Sequence, residues 1–139
     1  MLPTMSEEPL FTTEAQGLFV VRYWHAEDLT PARQAPLIAA VEAVPAPKPI
    51  GIVFDVSKDV RSVEMEVPNF WMTITGRHEL RLRAMAIASP SVGVRIAAKA
   101  FGLTNSVRKL PIAVQSFVDV AEAIKWVRGR LDDINAGLR

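Results

Sequence analysis

The stretch that most constrains how this chain can fold is residues 49–57, Pro-Ile-Gly-Ile-Val-Phe-Asp-Val-Ser. Its β-branched and aromatic residues show no helical period, which predicts a strand buried on both faces of a parallel sheet. In open α/β sheets, sites are usually built at the carboxyl ends of such strands. Asp55 is the acidic residue at that end, so it is a candidate site residue.

Strand and helix signals alternate along the rest of the chain. Residues 9–13 and 18–24 flank a short connection that ends in Gly17, which predicts an antiparallel hairpin. One helix is expected to start at Thr30 and Pro31 and to kink at Pro36. The order predicts a single α/β domain with a mostly parallel four- to five-stranded sheet, an antiparallel N-terminal hairpin and helices packed outside it.

The last two helices and two strands have marked boundaries. Ser91 is predicted to cap a helix that ends at Gly102, between strands at residues 80–88 and 111–114. Asp119 and Glu122 form a capping-box pair at the start of the final helix. The apolar stripe of that helix is predicted to consist of Val120, Ile124, Val127, Leu131 and Ile134.

Length and composition exclude several classes of protein. A chain of 139 residues is the size of one domain, which we assign to residues 9–135, with a flexible leader at residues 1–8 and a flexible tail at residues 136–139. The absence of cysteine excludes disulfides, thiolate metal sites and cysteine nucleophiles. The apolar runs are too short to span a bilayer, and the first residues lack a signal-peptide pattern, so a soluble, cytoplasmic protein is expected.

Charge and hydropathy point towards binding. Residues 1–75 carry five Lys/Arg against ten Asp/Glu, whereas residues 76–139 carry eleven against five. This asymmetry indicates either an anionic partner for the basic half or two solvated faces of opposite sign. The mean hydropathy is above zero, which favours an exposed apolar patch or self-association as a homodimer.

Two motifs resemble the STAS family, and in particular its SpoIIAA-like branch of small stand-alone bacterial proteins. Residues 51–57 are similar to the family's hydrophobic strand followed by Asp-Leu-Ser, and residues 114–127 are similar to the branch's phenylalanine, acidic cap, Glu-Ala and terminal Trp-Leu pattern. The resemblance implies a non-enzymatic regulatory module for protein–protein interaction in signalling. It also implies a partner surface at the loop after the central strand, with candidate residues Asp55, Ser57, Ser62, Glu64 and Glu66.

The loop after the central strand departs from the family pattern. Phosphorylatable members carry Asp-Ser-Ser/Thr-Gly there, whereas residues 61–66 offer Ser62 as their only hydroxyl and contain no glycine. A kinase-driven switch is therefore not expected. Glu64 and Glu66 either hold a fixed negative charge at this place or simply complement a helix dipole.

Catalytic signatures are missing. His25 and His78 fall in turns without the spacing of a metal or acid–base site, which predicts solvated loop residues. Asp55 is interpreted either as a functional acid or as an acceptor that ties the following loop. No glycine-rich phosphate loop occurs, and the arginines are not interleaved with stacking aromatics, so no enzyme, cofactor, metal or nucleic-acid function is expected.

An aromatic cluster supports an alternative function. Phe70, Trp71 and Met72 cannot all point inward from one short helix, so they either line a cleft for an apolar ligand or lipid, or contribute to the core. Arg77 and Arg81 follow closely and are predicted to meet anionic headgroups at a membrane surface.

Overall fold

The computed structural model describes residues 11–15, 17–61 and 63–137. The predicted leader at residues 1–8, the predicted strand start at residues 9 and 10, the candidate Ser62 and the last two residues lie outside the described part of the chain.

The described chain contains five strands and four α-helices. The strands are β1 (Phe11–Ala15), β2 (Leu18–Tyr23), β3 (Ile50–Val56), β4 (Leu82–Ala88) and β5 (Ala113–Phe117). The helices are α1 (Ala35–Glu42), α2 (Glu66–Thr75), α3 (Val92–Val107) and α4 (Val120–Gly137). Short 3-10 helices occupy Ala26–Leu29, Pro31–Gln34 and His78–Leu80.

The strands form one mixed sheet in the order β1-β2-β3-β4-β5. β1 is antiparallel to β2, and the other neighbouring pairs are parallel. The predicted α/β class, the N-terminal hairpin and the central position of residues 50–56 are therefore confirmed. Every residue of β3 is buried except Asp55, which is partly buried.

The sheet separates two hydrophobic cores because successive side chains of a strand point to opposite faces. Ile52 and Phe54 belong to the larger core, to which α1, α2 and α3 contribute. Val53 belongs to the smaller core, which α4 covers with Ala123, Val127 and Leu131. Each face of β3 thus packs against a different set of helices.

α4 lies unusually close to the sheet. A Cβ atom at Gly51 would overlap the side chain of Val127, and β4 presents only small alanines, at positions 84, 86 and 88, to this core. Ala123 therefore faces the sheet, whereas the predicted stripe residues Val120, Ile124 and Ile134 are only partly buried. The helix also continues through Gly137, beyond the predicted domain end at residue 135.

Two helix boundaries differ from the prediction. Pro31 begins a 3-10 helix, and α1 starts separately with Pro36 in its first turn, where the missing N–H of proline does no harm. α3 does not stop at Gly102 but continues to Val107. A Cβ at Gly102 would lie 3.3 Å from the Cβ of Val114, so this glycine allows α3 to pack closely on β5. The last strand, β5, covers Ala113–Phe117 and therefore ends three residues after its predicted end at residue 114.

Candidate functional site

A pocket of about 330 Å³ opens between α2 and α3 above the sheet. This volume lies at the small end of the range of roughly 300–1,000 Å³ that small-molecule sites occupy. Its lining consists of Tyr23, Leu29, Phe54, Val56, Val63, Met65, Val67, Pro68, Asn69, Trp71, Met72, Met85, Ile87, Val94, Ala97, Ala98, Ala100, Phe101 and Thr104.

The pocket exists because small residues face large ones. β2, β3 and β4 provide a floor that includes Tyr23, Phe54 and Met85. α3 contributes the alanines at positions 97, 98 and 100 on the side that faces α2. Because these side chains are short, α2 and α3 leave a hollow between them.

Trp71 forms part of both the pocket wall and the core. Its ring is 5 % exposed and meets Phe54 edge to face, with ring centroids 5.0 Å apart. Phe70 packs against the same indole at 5.3 Å and is only partly buried, but it is not among the lining residues. Of the three residues predicted to line a cleft, Trp71 and Met72 do so, and Trp71 also fulfils the alternative prediction of core packing.

The pocket lining consists almost entirely of apolar side chains. None of the lining residues is charged, and only Tyr23, Asn69 and Thr104 bring polar side chains. The Tyr23 hydroxyl donates a hydrogen bond of 2.6 Å to Oε1 of buried Gln34. Burial, followed by the negative charge of Asp28, raises the pKa of Tyr23 well above its usual value, so this hydroxyl stays protonated at neutral pH. The site therefore suits binding rather than proton transfer.

The two arginines predicted to meet headgroups are engaged elsewhere. Arg77 contacts Glu79 at 2.7 Å and Glu42 at 3.0 Å, and these carboxylates raise its pKa, Glu79 more than Glu42. Arg81 donates through Nη2 to the carbonyl of Val44 at 2.7 Å. Neither lines the pocket, so the structure does not bring them together with Trp71 and Met72.

The residues predicted to form the partner surface are also divided. Asp55 lies on the face of β3 that carries Val53 and points away from the pocket, opposite Arg22 of β2. Burial raises the pKa of Asp55, and the charge of Arg22 partly offsets this effect. Within the described part of the loop, the Asp59 amide donates to the Ser57 hydroxyl and not to Asp55, so the interpretation of Asp55 as the residue that ties this loop stays a prediction.

Ser57 holds the loop through its backbone. Its carbonyl accepts a hydrogen bond from the Val60 amide at 3.0 Å, and its amide donates to the carbonyl of Tyr23 at 2.8 Å. Glu64 and Glu66 are exposed beyond this turn. They flank Met65, which is 70 % exposed at the pocket mouth. Only the two glutamates therefore remain together on an open surface.

Other candidate chemistry is dispersed. His25 precedes the 3-10 helix Ala26–Leu29, and His78 begins the 3-10 helix His78–Leu80. No group of three His, Asp or Glu side chains within the described ranges is placed to hold a metal ion. None of the helices among the described residues is both long and apolar enough to cross a bilayer.

Val94, Ala97, Ala98 and Phe101 form the side of α3 that lines the pocket, but no pattern in the sequence indicates the space in front of them. Tyr23 and Met85 were also missed as lining residues. Tyr23 shares one face of β2 with Phe19 and Val21, and the alternation of side chains along this strand is the signal that could have identified it.

Comparison with known proteins does not name the site: the chain matches no family model, no curated protein and no solved structure.

Proposed function

We propose that this protein binds a small apolar molecule, or the apolar chain of an amphiphile, between α2 and α3, and that it does so without catalysis. The observation that carries this proposal is a pocket of about 330 Å³ without a charged lining residue. An apolar lining with few polar groups is the usual composition of a small-molecule site.

The pocket volume limits the size of the ligand. At roughly 30 Å³ for each water molecule in the liquid, the volume equals that of about eleven waters, which corresponds to a ligand of about ten to fifteen non-hydrogen atoms. A medium-length acyl chain or a one- to two-ring hydrocarbon fits this limit. Asn69 is the polar group available to orient such a ligand, since the Tyr23 hydroxyl already donates to Gln34 and the Thr104 hydroxyl already donates to the carbonyl of Ala100.

The expected affinity is low. Burying about ten methylene groups yields roughly 8 kcal/mol, and the loss of freedom on association costs at least about 4 kcal/mol. The difference of at most about 4 kcal/mol corresponds to a Kd of about 1 mM or weaker. Titrations therefore need to reach high ligand concentrations.

Filling the pocket tests the proposal. The fluorescent two-ring probe 1-naphthylamine, which falls within this size limit, is titrated into the protein and displaced with lauric acid. The same titration is repeated with Ala97→Phe, which places a ring in the pocket. Ala121→Phe is the matched control, because it adds the same ring at an exposed position of α4 on the other face of the sheet.

The expected result is saturable binding that Ala97→Phe abolishes and Ala121→Phe preserves. Thermal melts of both variants check that each is folded. Equal probe binding by the wild-type protein and a folded Ala97→Phe variant contradicts ligand binding in this pocket.

We propose protein–protein interaction in a STAS-like, SpoIIAA-like regulatory module as a second function. The exposed side chain of Met65 between the two acids Glu64 and Glu66 supports it, because an apolar group with a charged rim is a common arrangement in interfaces. The strand and helix order is compatible with such a module. A cytoplasmic location belongs to this proposal and fits the absence of cysteine.

Charge reversal separates this second function from the first. A cell extract is passed over immobilised wild-type protein and over Glu64→Lys and Glu66→Lys, and Glu122→Lys on α4 is the exposed acidic control. We expect both loop variants, but not the control, to lose the same captured protein without a change in melting temperature. Identical captured proteins for all variants contradict an interface at this loop.

A further inference from the structure

The outer face of α3 carries a continuous apolar stripe. Val92, Ile96, Leu103 and Val107 are 61 %, 62 %, 69 % and 81 % exposed. At 100° per residue, these four side chains fall within an arc of about 60°, and at 1.5 Å per residue they extend over roughly 22 Å. Ala100, which is also exposed, lies beside this arc on the side of the pocket.

This stripe is not required by the fold. Helix α3 already buries Val94, Ala98 and Asn105 on its inner side, so it is apolar on two sides. An amphipathic surface helix normally turns charged or polar residues to solvent. An exposed apolar line of this length indicates a surface that contacts another molecule or a membrane.

Every charged residue in the chain segment that carries the stripe is positive. No acidic residue occurs between Glu79 and Asp119, whereas this segment contains six Arg and Lys residues. Lys99 is exposed beside the stripe, and Lys109 follows the helix end. The only acid within the neighbouring helix α2 is Glu66, its first residue.

Charge decides between two occupants of the stripe. Two copies of α3 packed against each other in antiparallel orientation would bring Lys99 close to its own counterpart, with no carboxylate from either α3 to compensate. An anionic bilayer offers acyl chains for the apolar side chains and negative headgroups for the lysines. We therefore propose that α3 docks the protein onto anionic phospholipid membranes through Val92, Ile96, Leu103 and Val107.

This surface is distinct from the one predicted by the Phe70, Trp71 and Met72 cluster. It uses side chains that lie outside the pocket, so membrane docking does not depend on ligand binding. The two proposals can fail separately.

Vesicle flotation of the full chain tests the docking surface. The vesicles are made of phosphatidylcholine alone or of equal parts of phosphatidylcholine and phosphatidylglycerol. The test variant is Ile96→Ser with Leu103→Ser, and Lys99→Glu tests the charge. Trp24→Ser with Val118→Ser is the matched control, because it removes two exposed apolar side chains outside α3.

We expect the wild-type protein and the control to float with the anionic vesicles only, and to be released by high salt. The double α3 variant should reduce the bound fraction about tenfold or more, because it removes two aliphatic side chains that would insert among the acyl chains of the bilayer. Lys99→Glu should weaken binding more at low salt than at high salt.

Three results would overturn the proposal. The first is that wild-type protein never floats, and the second is that the α3 variants float as well as the wild type. The third is a dimer in analytical ultracentrifugation that the double α3 variant converts to a monomer, because a second copy then covers the stripe. Probe binding in the pocket, measured in the absence of vesicles, should be the same in all these variants.

Discussion

The indole of Trp71 stands edge to face on the ring of Phe54, with centroids 5.0 Å apart and ring planes at 78°. Phe54 belongs to the central strand, and Trp71 belongs to the helix that walls the pocket. This contact therefore couples the stability of the fold to the shape of the site.

Trp71→Ala should lower the free energy of unfolding by about 3–5 kcal/mol, because it removes a large buried ring and two aromatic contacts. Met72→Ala is the matched change in the pocket wall, and its side chain is only partly buried. It should cost much less stability while weakening ligand binding. Urea denaturation and probe titration measure the two effects. A Trp71→Ala protein as stable as the wild type would contradict the core role.

Gly51 and Gly129 should respond to alanine in opposite directions. Gly51→Ala places a methyl group against Val127 and should destabilise the protein by about 1–3 kcal/mol, because α4 must move away from β3. Gly129 lies inside α4, and a methyl group at this position would meet no other atom within 4 Å. Gly129→Ala should therefore stabilise the helix by about 0.5–1 kcal/mol. Chemical denaturation of both variants provides the test, and the same sign for both would contradict the close packing of α4.

The buried hydroxyl of Tyr23 should make the protein less stable at alkaline pH. Its folded pKa is raised above the usual value, so between the two pKa values the unfolded chain releases a proton that the folded chain keeps. Stability is unaffected below the unfolded pKa and falls as the pH rises towards the folded pKa.

Tyr23→Phe should remove this tyrosine-dependent fall. At neutral pH it should cost about 1–3 kcal/mol, because Oε1 of buried Gln34 loses its donor. Tyr23 is the only tyrosine, so ultraviolet absorbance of tyrosinate reports its titration directly. A titration at the value of a free tyrosine in the folded protein would contradict the burial of this hydroxyl.

The architecture could be predicted largely from local sequence signals. The β-branched residues 50–56 specified a buried central strand, and Ser91 marked the start of α3, where its Oγ accepts a hydrogen bond from the Val94 amide. These features depend on residues close together in the chain. The hairpin and the parallel pairs then follow from the order of the elements.

The site was less predictable because it depends on packing between distant segments. Gly102 looked like a helix end, but its role is set by Val114 of another strand. The pocket arises where the alanines of α3 face Trp71 and Met72 of α2, and neither segment alone indicates an empty space. Arg77 was assigned to headgroups, but the positions of Glu42 and Glu79 gave it ionic partners.

The last prediction concerns Asp55, the acidic residue near the end of the central strand. Its ionised carboxyl group should lower the stability of the folded protein at neutral pH. Burial raises its folded pKa above the ordinary value, and Arg22 offsets only part of this shift. The protonated form is thus favoured in the folded protein, and stability falls as the pH rises from the ordinary pKa through the folded pKa. Asp55→Asn should melt at a higher temperature than the wild type at neutral pH, and this advantage should vanish in acid.

Arg22→Gln is the complementary variant, since it removes the offsetting charge. It should raise the pKa of Asp55 further and steepen the loss of stability with pH. Thermal melts of both variants across the acidic to neutral range provide the measurement. If Asp55→Asn instead melts lower than the wild type at neutral pH, the carboxylate is held by favourable contacts, and its desolvation does not dominate. Asp55→Asn is thus expected to raise the melting temperature at neutral pH, and Arg22→Gln is expected to lower it. These opposite results separate the desolvation of the Asp55 carboxylate from its attraction to Arg22 on the neighbouring strand.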